Sequence, residues 1–179
     1  MNLIENFQDL MARLPELLQP LVVALAGAVP FIEGEGAAAI GIVGGIPPAV
    51  AMVAAAIGNF ASVAVVVLLT SRARVAVVTH YRGRARESVA AGHASRGRSV
   101  ELDEPRTPRQ EKFARAFQRY GLPGVSLLGP LLLPTQVTAT MLAGAGVNRT
   151  HILVWQAIAI VLWTTVIGAF VGGVLHFAN

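Results

Sequence analysis

The chain has no cysteine, which excludes disulfides and every thiolate metal ligand or nucleophile. Charge is nearly as scarce: 13% of residues are charged, against roughly 25% in ordinary globular domains. Between Leu17 and Ser71 the ionisable side chains are Glu33 and Glu35 alone, and from Gly121 to Asn179 they are Arg149, His151 and His176. What fills those stretches is apolar, with 54% hydrophobic residues overall and a mean hydropathy of +0.61. About 20 apolar helical residues cross a hydrocarbon core of roughly 30 Å, and both stretches are long enough to do so. An integral membrane protein is therefore expected.

The charges that exist are gathered together. Arg72–Arg119 holds 12 of the 14 Lys+Arg and 5 of the 10 acids, net +7, which leaves net −3 on the rest of the chain. A basic loop between apolar blocks is the mark of a cytoplasmic loop, so the pI near 10.6 does not imply nucleic-acid binding. The Arg- and Ala-rich, Lys-poor usage hints at a high-GC bacterium, and with the apolar stretches and the basic loop the expected location is a bacterial inner membrane, crossed more than once. Met1 to Gln19 lacks a basic start and a small-residue cleavage site, so it does not read as a secretory signal.

Four segments follow from the pattern. Residues 1–19 contain an amphipathic helix, with Leu3, Phe7, Leu10, Leu14 and Leu17 on one stripe. It lies in the membrane interface or packs on the protein's own membrane domain. Residues 20–71 form a first unit: 20–46 are apolar but broken by Pro20, Gly27, Pro30, Gly34 and Gly36, and 48–71 read as an uninterrupted spanning helix. Proline and glycine suit a straight spanning helix poorly, so the broken part is expected to be a re-entrant hairpin. Residues 72–120 are the basic loop and a juxtamembrane helix, with Thr107, Pro108 and Gln110 as a capping box. Its cations lie toward anionic headgroups or act as topological anchors. Residues 121–179 repeat the plan: a stretch broken by Gly121, Pro123, Gly129, Pro130 and Pro134, then a spanning helix over 151–177.

The halves align without a gap at an offset of 100, placing Pro30 on Pro130, Ala39 on Ala139 and Gly44 on Gly144. The predicted fold class is thus an all-α integral membrane protein. It is an inverted repeat of two units, each a re-entrant helical hairpin followed by a transmembrane helix, a plan that recurs in transporters. With one true crossing per unit, Arg149 lies on the same side as the basic loop. Four complete crossings are the rival topology and put Arg149 on the opposite side.

Glu33 and Glu35 are the sharpest chemical feature, because a carboxylate at membrane depth requires water, a cation or a proton. The alternative is a hairpin tip that reaches the headgroups and leaves both acids wet. Asn59 is the lone amide of the first spanning helix, fit to complete a polar site or to bond a neighbouring helix. Thr135, Gln136, Thr138 and Thr140 cluster in the second hairpin and line the opposing face or bond their own backbone. HExxH, GxSxG and phosphate-loop patterns are lacking, so neither an enzyme nor a bound cofactor is expected. The four histidines read as surface residues, leaving no metal site.

The stretches "PFIEGEGAAAIGIVGG" to "AIGN" (30–59) and "GPLLLPTQVTATMLAGAG" to "WQAIAIVLW" (129–163) resemble the small multidrug export protein family and the related DedA/VTT membrane protein superfamily. The resemblance implies paired re-entrant hairpins and a role in moving small solutes or lipids, with a proton or small cation as coupling ion. Two departures stand out: the resembling families usually carry Arg at the positions of Glu35 and Gln136. From these readings Glu33, Glu35, Asn59, Thr135, Gln136, Thr138 and Thr140 form the candidate substrate or ion site. The expected partners are membrane lipids and a second copy of the chain, which would cover the broken hairpins. The competing expectation is a non-transporting accessory or assembly subunit.

Overall fold

The computed structural model describes residues 13–90 and 108–178. The expected amphipathic stripe up to Leu10, the Thr107 cap and residues 91–107 of the basic segment lie outside the described residues. Every regular element among the described residues is helical.

Helix α1 (Gln19–Gly27) opens with Pro20 in its first turn, where the missing N–H is no loss. It is nine residues long, about 14 Å, and gives way to a bend at Pro30–Ile32. Phe31 and Glu33 both take left-handed backbone angles, φ 72° and 55°, so the chain doubles back sharply. Helix α2 (Glu33–Val43) follows with 11 residues, about 16 Å. It is built of Ala and Gly, so it packs closely: a Cβ at Gly41 would come within 2.9 Å of Val23 and 3.0 Å of Ala51. The Ile46 N–H then reaches back to Gly41 O (3.0 Å) and Gly45 N–H to Ile42 O (3.1 Å), with Gly45 at φ +90°. That is a Schellman cap.

Helix α3 (Pro48–Ala90) has 43 residues. The apolar pattern ends it at Ser71, yet the backbone continues for about five more turns. Charge ends the hydrophobic match to a membrane, but only backbone chemistry ends a helix; residues 72–90 are Arg- and Ala-rich and contain no proline. Helix α4 (Pro108–Leu128) is interrupted at Gly121 (φ 65°, ψ −170°), and Pro123 opens the apolar second part. A single 3₁₀ turn at Gly129–Leu131 leads through Pro134 to α5 (Thr135–Gly144), ten residues or about 15 Å. The exit from α5 repeats the exit from α2. Val147 N–H reaches Leu142 O (3.2 Å) and Gly146 N–H reaches Ala143 O (3.0 Å), with Gly146 at φ +83°. Helix α6 (Arg149–Ala178) has 30 residues and is capped by Asn148, whose Oδ1 accepts the Thr150 N–H at 2.9 Å.

The two capping glycines, 45 and 146, are 101 positions apart, as are the first residues of α3 and α6. The equivalence at the hairpin exits therefore falls one residue later than the gap-free alignment places it.

Helices α3 and α6 run antiparallel. At one end Gly168 packs on Met52 and Gly172 on Pro48; at the other, Arg72 and Arg74 share a groove with Arg149. The hairpin of α1 and α2 lies on α3 around a cluster of Val23, Ala37, Ala38, Ile42, Ala51 and Ala55. A second cluster joins α5 to α3 and α6 through Val63, Val67, Ala139, Leu142, Ile152 and Ile160. Small residues bring backbones close where lipid supplies no hydrophobic drive. Two helices, Pro48–His80 and Arg149–Phe177, are long and apolar enough to cross a membrane, and only 33% and 22% of their most apolar windows are buried. The core helix of a soluble protein would be mostly covered. Here Val53, Ile57, Leu69, Val161, Phe170 and Phe177 face outward.

Candidate functional site

Between the two apolar clusters lies a polar one, assembled from both halves of the chain. It begins at Glu33, the first residue of α2. A left-handed glutamate costs on the order of 1–2 kcal/mol, and such strain persists where the surroundings enforce it. The strained backbone accompanies a buried side chain, 6% exposed, whose Oε1 accepts the backbone N–H of Thr135. That amide is the first of α5, one of the four donors that a helix leaves unpaired at its start. Pro134, at the N-cap position, offers no side-chain acceptor. Glu33 therefore caps α5 from 102 residues away, at the positive end of that helix dipole, which favours an acidic side chain there.

Gln136, one residue on, faces α3. Its Nε2 donates to Asn59 Oδ1 (3.3 Å) and Ser62 Oγ (3.0 Å), while Ser62 Oγ donates to Asn59 O at 3.0 Å. The third wall is α6. A Cβ on Gly34 would lie 2.2 Å from Thr164 Oγ1 and 3.6 Å from Asn59 Nδ2, so glycine at 34 lets the tip of the first hairpin seat against both long helices. Polar atoms in this region without a protein partner include Asn59 Nδ2, Gln136 Oε1 and Thr164 Oγ1; on α6, between Ile152 and Ile160 of the second apolar cluster, both amide atoms of Gln156 are likewise buried and unpartnered. Each such atom costs about 1–3 kcal/mol when left unbonded.

Of the sequence-predicted residues, the structure brings Glu33, Asn59, Thr135 and Gln136 together. Thr138 is buried beside Gly129, which a Cβ would bring to 3.1 Å from its Oγ1. Glu35 is half-buried in the first turn of α2, where a second acid also suits the helix dipole. Thr140 faces outward and donates to Gln136 O at 2.7 Å, so its hydroxyl serves its own helix. Ser62, Gln156 and Thr164 escaped the sequence reading. Gln156 is the lone amide in the α6 stretch, the signal that singled out Asn59 in α3. Among the described residues no three His, Cys, Asp or Glu converge as a metal set would require.

Comparison with protein-family models, curated proteins and solved structures gives no match for this chain.

Proposed function

We propose that the chain is a membrane transporter or flippase-like protein for a small solute or lipid, with Glu33 as its proton- or cation-responsive group. The observation that carries this reading is the buried polar cluster where the starts of α2 and α5 meet between antiparallel long helices. Its unpartnered amide and hydroxyl atoms are costly in an apolar slab unless a water, an ion or a substrate group takes them. Glu33 supplies the charge that a proton or a small cation neutralises.

The architecture agrees. Helices α1, α2 and α5, at about 14–16 Å, are each too short to cross roughly 30 Å of hydrocarbon, which suits re-entrant hairpins. The repeated Schellman exits at 45 and 146 and the antiparallel α3 and α6 suit an inverted repeat. In that arrangement Arg72, Arg74 and Arg149 lie at one end and are assigned to the cytoplasmic side of a bacterial inner membrane. Four complete crossings would instead make α3 and α6 parallel. A second copy is the expected cover for the exposed bend at Phe31, which is 85% accessible.

The cysteine-free chain allows a direct test. Single cysteines at Glu35 and Gln136 are probed with a membrane-impermeant thiol reagent from each side of sealed vesicles. Labelling that switches sides with pH or ligand is the expected result. A folded protein that labels at neither position would mean sealed packing, and would favour an accessory subunit over a transporter.

A further inference from the structure

The strongest feature outside the polar cluster is a groove at the far end of the long helices. It has a volume of about 670 Å³ and is lined by Arg72, Arg74 and Arg149, with Ser71, Asn148 and Thr150 between them. That volume falls within the range of ligand clefts, about 300–1,000 Å³. The distance along α3 from Asn59 to Arg74 is about 22 Å, so this groove is separate from the polar cluster.

Three guanidinium groups from two helices border one concave space. The acids whose side chains are described are Glu16, Glu33 and Glu35, and none of them lines it. Like charges held together need a counter-charge, and the side chains described here offer none. Arg74 is also held in place: its Nε donates to Gly144 O at 3.1 Å. A Cβ at Gly146 would come within 2.6 Å of its Nη2, so the glycine of the Schellman cap is what admits the guanidinium. Once Nε is bound, the remaining guanidinium N–H groups are available to a ligand.

The end of α6 is not what gives the groove its charge. Asn148 Oδ1 already takes the Thr150 amide, and this leaves the Asn148 amide nitrogen as a further donor. The full set is three guanidinium groups, two hydroxyls and a carboxamide donor. Guanidinium forks match the spacing of phosphate oxygens, whereas a single carboxylate would satisfy only one of them. Val75 and Val147 add an apolar border, which suits an esterified phosphate better than a bare ion.

We infer that this groove binds a phosphate oxyanion, carried by an anionic lipid headgroup or by a soluble phosphate. The inference does not draw on the transport reading and survives its failure.

The test uses the full chain in neutral detergent, titrated by calorimetry with short-chain phosphatidic acid, short-chain phosphatidylcholine and inorganic phosphate. Saturable binding of phosphatidic acid is expected, with no comparable binding of phosphatidylcholine. Arg72→Gln with Arg149→Gln should weaken it about tenfold or more, through loss of two charge-assisted contacts. Arg115→Gln with Arg119→Gln removes the same charge from α4 and should change it by less than about twofold. Should the first pair unfold the protein, Arg74→Lys keeps the charge but loses the fork, and is expected to weaken binding as well. Competition by inorganic phosphate at the same site would assign a soluble ligand, and its absence a lipid headgroup. Equal losses from both arginine pairs would overturn the inference and leave only diffuse surface charge. So would phosphatidic acid that binds no better than phosphatidylcholine.

Discussion

Gly58 gives the sharpest test of the packing. A Cβ there would sit 1.8 Å from Ala24 O and 2.8 Å from Ala24 Cα, so Gly58→Ala drives a methyl into the backbone of α1. An ordinary contact of 3.4 Å requires that oxygen to retreat by about 1.6 Å, and no rotamer change can supply the space. The helix gains about 1 kcal/mol in propensity. Overpacking costs about 1–3 kcal/mol, and the immovable backbone puts this case at the upper end. The hairpin also lifts off Ala51 and Ala55, which form its core with Val23. We expect a net loss of about 2 kcal/mol. The control is Gly144→Ala, also helical, where a Cβ meets nothing within 4 Å and the propensity gain of up to about 1 kcal/mol stands alone. Reversible unfolding in mixed detergent micelles, followed by circular dichroism, measures both. A Gly58→Ala protein as stable as the parent would refute the close approach of α1 and α3.

Three further outcomes follow from the same geometry. Gly34→Ala should destabilise through its overlap with Thr164 Oγ1, 2.2 Å away, and Thr164→Ala should rescue it, a coupling that a double-mutant unfolding cycle reads directly. Gln136→Leu strips Asn59 Oδ1 and Ser62 Oγ of their donor and should cost about 1–3 kcal/mol; adding Asn59→Leu should cost less than the two single changes together. Gly146→Ala forces a side chain to φ +83°, at about 1–2 kcal/mol, and by displacing Arg74 should also weaken phosphatidic acid binding in the calorimeter.

Two of the expected breaks were legible because their causes are local, whereas Pro20, Gly34 and Gly36 lie inside helices. Pro30 and Gly121 interrupt the backbone through their own chemistry, and the chain turns where they stand. The far end of α3 was not legible, because the switch from apolar to basic residues at Arg72 reports the membrane rather than the helix. In the polar cluster, Glu33 and Asn59 announced themselves by being rare in apolar surroundings. Ser62 and Thr164 did not, since a small hydroxyl in a helix bonds its own backbone as readily as a neighbour, and only the packing partner decides. Thr140 shows the other side of that ambiguity: it lies one turn beyond Gln136, and its hydroxyl went to the helix. The partner of Glu33 was beyond any local reading, because a backbone amide leaves no mark in a sequence.

The bond between Glu33 and Thr135 also sets an order of events during synthesis. The acid emerges 102 residues before the amide that donates to it, an interval of about 5–20 s at about 5–20 residues per second. For that time the first hairpin has a carboxylate and no donor from α5, so water or headgroups must hold it. The N-terminal hairpin can thus pack on α3 early, but its buried acid gains its partner only once the ribosome has delivered the start of α5.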